Sequence, residues 1–178
     1  GGWGPASAMW QANLDVRNFG ERWNCRYDQL NAPAIVSAPA AKEVLMREPE
    51  IQSVLSQAVQ SHVALVGIGN VSSDSSLFHS GLLTDGDISR LQELDIVASL
   101  CNFFLDRDGN SVEFIDTSRT IGIETEQLRR IPRVIAVASG EKKVDAILAA
   151  LTGHWVDSLI TGPETARLLL EKAGKPTS

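Results

Sequence analysis

The chain has few cysteines, few histidines and no excess of positive charge, and each shortage excludes a class of protein. Its 178 residues include only Cys25 and Cys101, far apart and outside any paired motif, so neither a disulfide framework nor a zinc site is expected. The three histidines are not spaced like metal ligands. Sixteen basic against 22 acidic residues give a net charge of −6, which argues against a surface that holds nucleic acid by itself.

Long apolar runs are also missing. No segment approaches the roughly 20 apolar residues of a membrane span, and no basic leader precedes a cleavage site. With 43% hydrophobic and 21% charged residues, the composition is typical of one folded domain. We therefore expect a single domain over residues 1–178, soluble and located in the reducing cytoplasm. Because no initiator methionine stands at Gly1, we also expect a segment upstream of it.

Apolar runs of strand length alternate with segments of helical period, which predicts an α/β fold with a parallel sheet. Helices are predicted over residues 40–47, 50–60, 144–151 and 164–173, with Gly174 as the stop of the last one. Buried strands are predicted over residues 62–67, 133–138 and 155–160. Residues 100–105 and 111–115 flank an Asp-Gly turn and predict an antiparallel hairpin, as an insert or at the sheet edge.

Ligands of open α/β sheets bind at the carboxyl ends of the strands, so four loops are candidate binding sites. Residues 1–7 read either as a glycine-rich phosphate cradle or as an unstructured terminus. Residues 67–70 follow a strand, and they are interpreted either as the floor of a pocket or as a plain tight turn. Residues 138–143 bring two lysines into the first turn of a helix, where an anion would compensate them, although solvated lysines explain them as well. Thr161 is best explained as a helix cap.

Taken together, the loops resemble one known family: the effector-binding domains of SorC/DeoR-type bacterial sugar-responsive transcription regulators. The matching motifs cover most of the chain in the order and spacing of that family. They are residues 30–33, 37–39, Leu45, Pro49, 63–69, 82–84, 103–109, 118–122, 131–138, 140–143, 159–161, 165–166 and 169–170.

The resemblance implies a Rossmann-like fold related to sugar-phosphate isomerases, mostly parallel, with helices on both faces and a small antiparallel hairpin insert. It further implies that the first strand and a helix-turn-helix domain precede this chain. By the same resemblance, Gly2, Gly4 and Ser7 hold the phosphate of a ligand, and Lys143 contacts its sugar. Gly67 and Gly69 are expected as the pocket floor, and Ser99 stands where the family usually has an acidic residue.

The expected function is therefore ligand sensing: a sugar or sugar phosphate binds and changes how an attached helix-turn-helix domain engages DNA. No catalytic residue, metal or cofactor is expected. The expected assembly is a homodimer or homotetramer. Two alternatives remain open at this point. One is a sugar-phosphate isomerase or deaminase, which needs an acid/base group in the pocket. The other is an oligomerisation module with a vestigial pocket.

Overall fold

Six strands form one mixed sheet in the computed structural model, which describes residues 6–72, 75, 85–101, 103–115 and 117–174. The strands are β1 (Val63–Asn70), β2 (Ile96–Leu100), β3 (Phe103–Asp106), β4 (Ser111–Val112), β5 (Arg133–Val137) and β6 (Ser158–Ile160). Their order across the sheet is β4-β3-β2-β1-β5-β6. β1, β5 and β6 run parallel, whereas β1–β2, β2–β3 and β3–β4 pair antiparallel.

This arrangement confirms the α/β class and the hairpin. The parallel part consists of β1, β5 and β6, and Val63 to Gly67 pair in register with Arg133 to Val137. The antiparallel part is larger than the predicted hairpin, because β2 joins it to β1 and makes it half of the sheet. The hairpin turn itself is closed by the Asp106 carboxylate, which accepts hydrogen bonds from the backbone and side-chain amides of Asn110.

Helices flank the sheet and supply most connections in the described chain. They are α1 (Ala6–Trp23), α2 (Pro39–Leu45), α3 (Pro49–Val59), α4 (Asp85–Glu93), α5 (Thr125–Arg129), α6 (Val144–Thr152) and α7 (Pro163–Ala173). Proline opens α2, α3 and α7, where its missing N–H costs no hydrogen bond. The predicted helices agree with α2, α3, α6 and α7 to within two residues.

The main core lies between the sheet and α6. Ile68 and Leu100 of neighbouring strands pack there with Ile147 of α6, and all three side chains are inaccessible to water or nearly so. On the opposite face, Leu91 of α4 packs on Phe104 and covers the β2–β3 region. The part of this opposite face that belongs to the parallel strands is not covered by any described part of the chain. Leu65, Val137 and Ile160 lie there and are 46–56% exposed.

Four predicted strand boundaries are wrong. In the hairpin, the first strand begins at Phe103 rather than at residue 100, because the chain turns at Cys101 with a φ of 52°, and the second strand ends at Val112 rather than at residue 115. In the sheet, β1 does not end at Gly67, because residues 68–70 pair with Leu100, Ser99 and Ala98 of β2 and continue it to Asn70. The last strand is shorter than residues 155–160 and begins only at Ser158. His154 adopts a positive φ of 53° and turns the chain, so that Trp155 is buried against the hairpin rather than paired in the sheet.

Candidate functional site

The carboxyl ends of the three parallel strands lie side by side, as the ligand-binding edge of an open α/β sheet requires. Gly67 of β1 pairs with Val137 of β5, and Val137 pairs with Ile160 of β6. The segments that follow are the last residues of β1, the loop 138–143 and the loop 161–162. We call this region the strand-end edge.

Gly69 and Ser99 face each other across β1 and β2. They are direct register partners, and a Cβ added at Gly69 would lie 2.5 Å from the Ser99 hydroxyl oxygen. Ser99 is 5% exposed, so this serine fills the space that the glycine leaves. Gly67 lies two residues earlier on the same side of β1, and nothing stands within 4 Å of a Cβ added there. The structure therefore brings three predicted residues together, as part of a strand rather than of a loop.

The loop after β5 is fixed by a threonine from α7. The buried hydroxyl of Thr165 accepts a hydrogen bond from the Gly140 backbone N–H at 2.9 Å. It also lies 3.3 Å from the Ser139 hydroxyl. Gly140 has a φ of 118°, which side-chain-bearing residues rarely adopt, and the space beside its Cα is empty. These contacts hold the loop in one position ahead of Lys143.

Lys143 ends the 3-10 turn Glu141–Lys143, which approaches β1, and α6 begins directly after it. Its side chain is half-buried. Among the described residues, its ammonium group has neither a hydrogen-bond partner nor an ion-pair partner. A cation at a helix N-terminus is unfavourable because the helix dipole is positive there. An anionic group bound at the strand-end edge would compensate both the dipole and the lysine.

Thr161 does not cap the last helix, contrary to the sequence-based expectation. The N-cap of α7 is Gly162, which offers no side chain for capping. The Thr161 hydroxyl oxygen is instead buried and has no hydrogen-bond partner among the described residues. A buried hydroxyl without a partner is costly, so this oxygen is a second unsatisfied polar group at the strand-end edge.

The remaining predicted contacts lie at the start of the chain. Gly2 and Gly4 are outside the described residues, and so is the side chain of Ser7, whose backbone belongs to the first turn of α1. The phosphate cradle that the resemblance implies stays a prediction. The contacts of Thr165 with Ser139 and Gly140, by contrast, were not predicted, because a threonine near the start of a helix carries no sequence signal for holding a distant loop.

A network of ion pairs lies close to Lys143 in sequence and is centred on Asp145. The Asp145 carboxylate of α6 pairs with Arg107 of the hairpin turn at 3.3 Å and with Lys172 of α7. Arg107 also pairs with Asp95 at 3.4 Å. Partial burial opposes ionisation of Asp145, but the hydrogen bonds and charges of Lys172 and Arg107 outweigh it and lower the pKa of that carboxyl below its ordinary 3.8. The negative charge of Asp145, two residues after Lys143, is therefore already paired with other groups.

Within the described ranges, no cluster of three or more histidine, cysteine or acidic side chains is arranged to hold a metal ion. Burial raises the pKa of the Cys101 thiol, which keeps it protonated. None of the described helices is both long and apolar enough to cross a bilayer.

Comparison with known proteins identifies the family of this chain. A family model described as "Putative sugar-binding domain" matches residues 1–171. Among curated relatives, the transcriptional regulator LsrR of Klebsiella pneumoniae is 32% identical over 152 residues, which cover 84% of this chain and 47% of the relative. The deoxyribonucleoside regulator of Bacillus subtilis is 30% identical over 155 residues, covering 87% of this chain and 49% of the relative.

Among solved structures, the full-length sorbitol operon regulator SorC from Klebsiella pneumoniae superposes with a TM-score of 0.81 at 26% identity, covering 94% of this chain and 56% of the other. The chain spans about half the length of the curated relatives it matches. The matched relatives are regulators, and the family model covers nearly all of this sequence. The chain therefore belongs to the family of sugar-binding domains found in SorC- and DeoR-type transcriptional regulators.

Proposed function

We propose that this chain is the ligand-sensing part of a bacterial transcription regulator, and that a sugar or sugar phosphate binds at its strand-end edge. The DNA-binding partner is a helix-turn-helix domain outside residues 1–178. Ligand alters DNA binding only if it has different affinities for two arrangements of the regulator, which we take to be a homodimer or homotetramer. The family of regulators to which the chain belongs supports this proposal.

The observation that carries the proposed site is the environment of Lys143. Its ammonium lacks a counter-charge among the described residues, and its turn approaches the strand that carries Gly67 and Gly69. Ser99 and the unsatisfied hydroxyl of Thr161 add polar groups at the same edge. One ammonium group, two hydroxyl groups and glycine backbone without side chains together suit a small polyhydroxy ligand that carries an anionic group.

Binding without conversion is part of the proposal. General acid/base catalysis on a sugar needs a carboxyl or imidazole group enclosed with the substrate. Gly69, Ser99, Gly140 and Thr161 offer none, and Glu141 of the adjacent turn is exposed to water. Incubation of the protein with sorbitol 6-phosphate and 2-deoxyribose 5-phosphate should therefore return both compounds unchanged. Turnover of either compound would favour the isomerase or deaminase alternative.

The test of the site is the variant Lys143→Ala, with Lys142→Ala as its matched control. We choose sorbitol and 2-deoxyribose, each with and without a phosphate, because the names of two relatives point to these compounds. Loss of a charged hydrogen bond costs about 1.5–3 kcal/mol, so Lys143→Ala should weaken binding of the phosphorylated probe about 10- to 150-fold in calorimetry. Lys142→Ala should leave the affinity within about twofold of wild type, since Lys142 has a partner of its own.

Equal affinities of wild type and Lys143→Ala would remove Lys143 from the site. Failure of all four probes to bind wild-type protein would favour the alternative of an oligomerisation module with a vestigial pocket.

A further inference from the structure

A second cavity lies away from the strand-end edge, between the β3–β4 hairpin and the segment that leads into α5. Its volume is about 550 Å³, which falls in the range of small-molecule sites. We call it the hairpin cleft. It is lined by Lys42, Phe103, Phe104, Ser111, Val112, Glu113, Phe114, Ile115, Ser118, Thr120, Gly122, Ile123, Glu124 and Thr125. None of these residues belongs to the strand-end edge, so the cleft requires an explanation of its own.

The walls of the cleft are fixed in place by contacts outside it. On the hairpin side, the Phe114 ring packs on Phe104 with ring centroids 5.2 Å apart, and the Arg90 guanidinium lies 5.9 Å from the Phe114 ring. Phe103 packs against Trp155, with ring centroids 6.0 Å apart, on the other face of the sheet from the buried Phe104. The aromatic floor of the cleft, Phe103, is therefore held by the protein before any ligand arrives, which lowers the entropy cost of binding.

The opposite wall is held by backbone pairing. Thr120 forms an antiparallel bridge with Ile35, and the Ile121 N–H donates to the Ala34 carbonyl at 2.9 Å. The Arg119 side chain donates to the Val36 carbonyl at 2.9 Å. At the far end, a capping box between Glu124 and Gln127 fixes the start of α5. The cleft thus lies between a hairpin and a segment that are each held by their own contacts.

The chemistry of the lining selects a class of ligand. The floor is aromatic and aliphatic, and the rim carries the hydroxyl groups of serine and threonine side chains. Among the described residues that line the cleft, three are charged: Lys42, Glu113 and Glu124. Two carboxylates against one ammonium disfavour a phosphate, whereas hydroxyls of a ligand can donate to carboxylates and accept from the ammonium. The apolar C–H face of a sugar ring suits an aromatic floor, since a ring face is electron-rich.

We infer that the hairpin cleft is a second small-molecule site, which takes a neutral, unphosphorylated sugar or polyol. It is separate from the strand-end edge, where Lys143 favours an anionic group. The inference goes beyond the proposed function, because it holds or fails whatever binds at the strand-end edge.

The experiment is a titration of the ¹⁵N-labelled full chain with sorbitol, 2-deoxyribose and methyl β-D-glucopyranoside, followed by amide shifts. At least one probe should shift amides of residues 111–125 in a saturable way. Glu113→Gln and Thr125→Val should each weaken that binding at least fivefold, because each removes one polar partner with little change in size. Matched controls are Glu43→Gln, an exposed acid beside Lys42 outside the cleft, and Thr152→Val at the end of α6.

The control variants should bind the neutral probe as wild type does, and in Lys143→Ala the saturable shifts of residues 111–125 should persist. Shifts confined to the strand-end edge and abolished by Lys143→Ala would overturn the second site while supporting the proposed function. Absence of saturable shifts with all three probes would overturn it as well, and so would equal binding by Glu113→Gln and Glu43→Gln. The amide spectrum of each variant reports directly whether that variant is folded.

Discussion

At the scale of single residues, the contact between Gly69 and Ser99 makes one glycine indispensable and leaves its neighbour replaceable. A methyl group at position 69 would lie 2.5 Å from the hydroxyl oxygen of the buried Ser99, so one of the two has to shift. The same methyl at Gly67 would meet nothing within 4 Å. Both glycines belong to β1 and both face the same side of the sheet, so they form a natural pair for comparison.

We predict that Gly69→Ala destabilises the domain by about 1–3 kcal/mol, the usual cost of overpacking. Gly67→Ala should change the free energy of unfolding by no more than about 0.5 kcal/mol. Urea denaturation of both variants measures this difference. The double variant Gly69→Ala, Ser99→Ala should recover part of the loss, because it removes the oxygen that the new methyl meets. A Gly69→Ala variant as stable as wild type would show that Ser99 moves aside without cost.

Asp145 provides a prediction of pH dependence at the same scale. Its folded-state pKa lies below its ordinary value of 3.8, because Lys172 and Arg107 outweigh the effect of burial. A depressed pKa of an acid stabilises the fold above the unfolded-state pKa, and this contribution is lost as the pH falls through the folded-state value. Asp145→Asn should therefore be less stable than wild type at pH 7, and the gap should narrow at pH 3.

Chemical denaturation of wild type and Asp145→Asn at both pH values is the measurement. Asp15→Asn is a suitable control, because Asp15 is exposed in α1 and belongs to no ion pair in the described chain. A gap that stays constant from pH 7 to pH 3 would contradict the assignment of the stabilisation to the Asp145 charge.

At the scale of elements, Trp155 joins the hairpin turn to the end of α6, in addition to the ion pair of Arg107 with Asp145. The Trp155 indole N–H donates to the Gly109 carbonyl at 2.7 Å, and the Arg129 guanidinium lies 3.7 Å from the centroid of the Trp155 ring. Gly109 has a φ of 84°, which allows the turn to approach α6 closely. A side chain from the loop that precedes β6 therefore helps to hold the hairpin against α6.

Trp155→Phe should cost about 1–3 kcal/mol, since it leaves a buried carbonyl without its hydrogen bond. Trp23→Phe should cost less than about 0.5 kcal/mol, because Trp23 is exposed at the end of α1. Guanidinium denaturation followed by far-UV circular dichroism compares the two variants. Equal stabilities would mean that the indole N–H contributes nothing to the attachment of the hairpin.

Local patterns predicted α3, α6 and α7 well because each has an apolar face of helical period next to a clear start or stop. The end of β1 was predicted wrongly because residues 68–70 are extended through pairing with β2, a contact that has no local sequence signal. The contacts of the candidate site likewise depend on pairing between distant segments. Gly69 and Ser99 were both selected, but their register could not be predicted, since the sheet order decides it. The hydrogen bonds of Thr165 to the β5 loop depend on the packing of α7 and also had no local signal.

At the scale of the whole molecule, the two faces of the sheet differ in how they are covered. Ile68 of β1 is buried under α6, whereas Ile160 of β6 is 56% exposed on the other face. Isolated apolar side chains at a surface need no explanation, but Leu65, Val137 and Ile160 lie on adjacent strands and form one patch.

Ile68→Ala should destabilise the domain by about 2–5 kcal/mol, because it opens a cavity in a closed core. Ile160→Thr should stay within about 0.5 kcal/mol of wild type and should reduce the binding of a hydrophobic dye such as ANS. Urea denaturation and dye fluorescence test the pair. A large loss of stability in Ile160→Thr would mean that the patch is covered in solution.

The bond from the Gly140 N–H to Thr165 has a mechanical consequence for signalling. The loop that presents Lys143 is tied to the third residue of α7 by a buried hydroxyl, not only by its own backbone. A ligand that draws the ammonium toward itself pulls on that tether, and either the bond breaks or α7 shifts with the loop. On the function proposed above, we expect occupancy of the strand-end edge to displace the final helix.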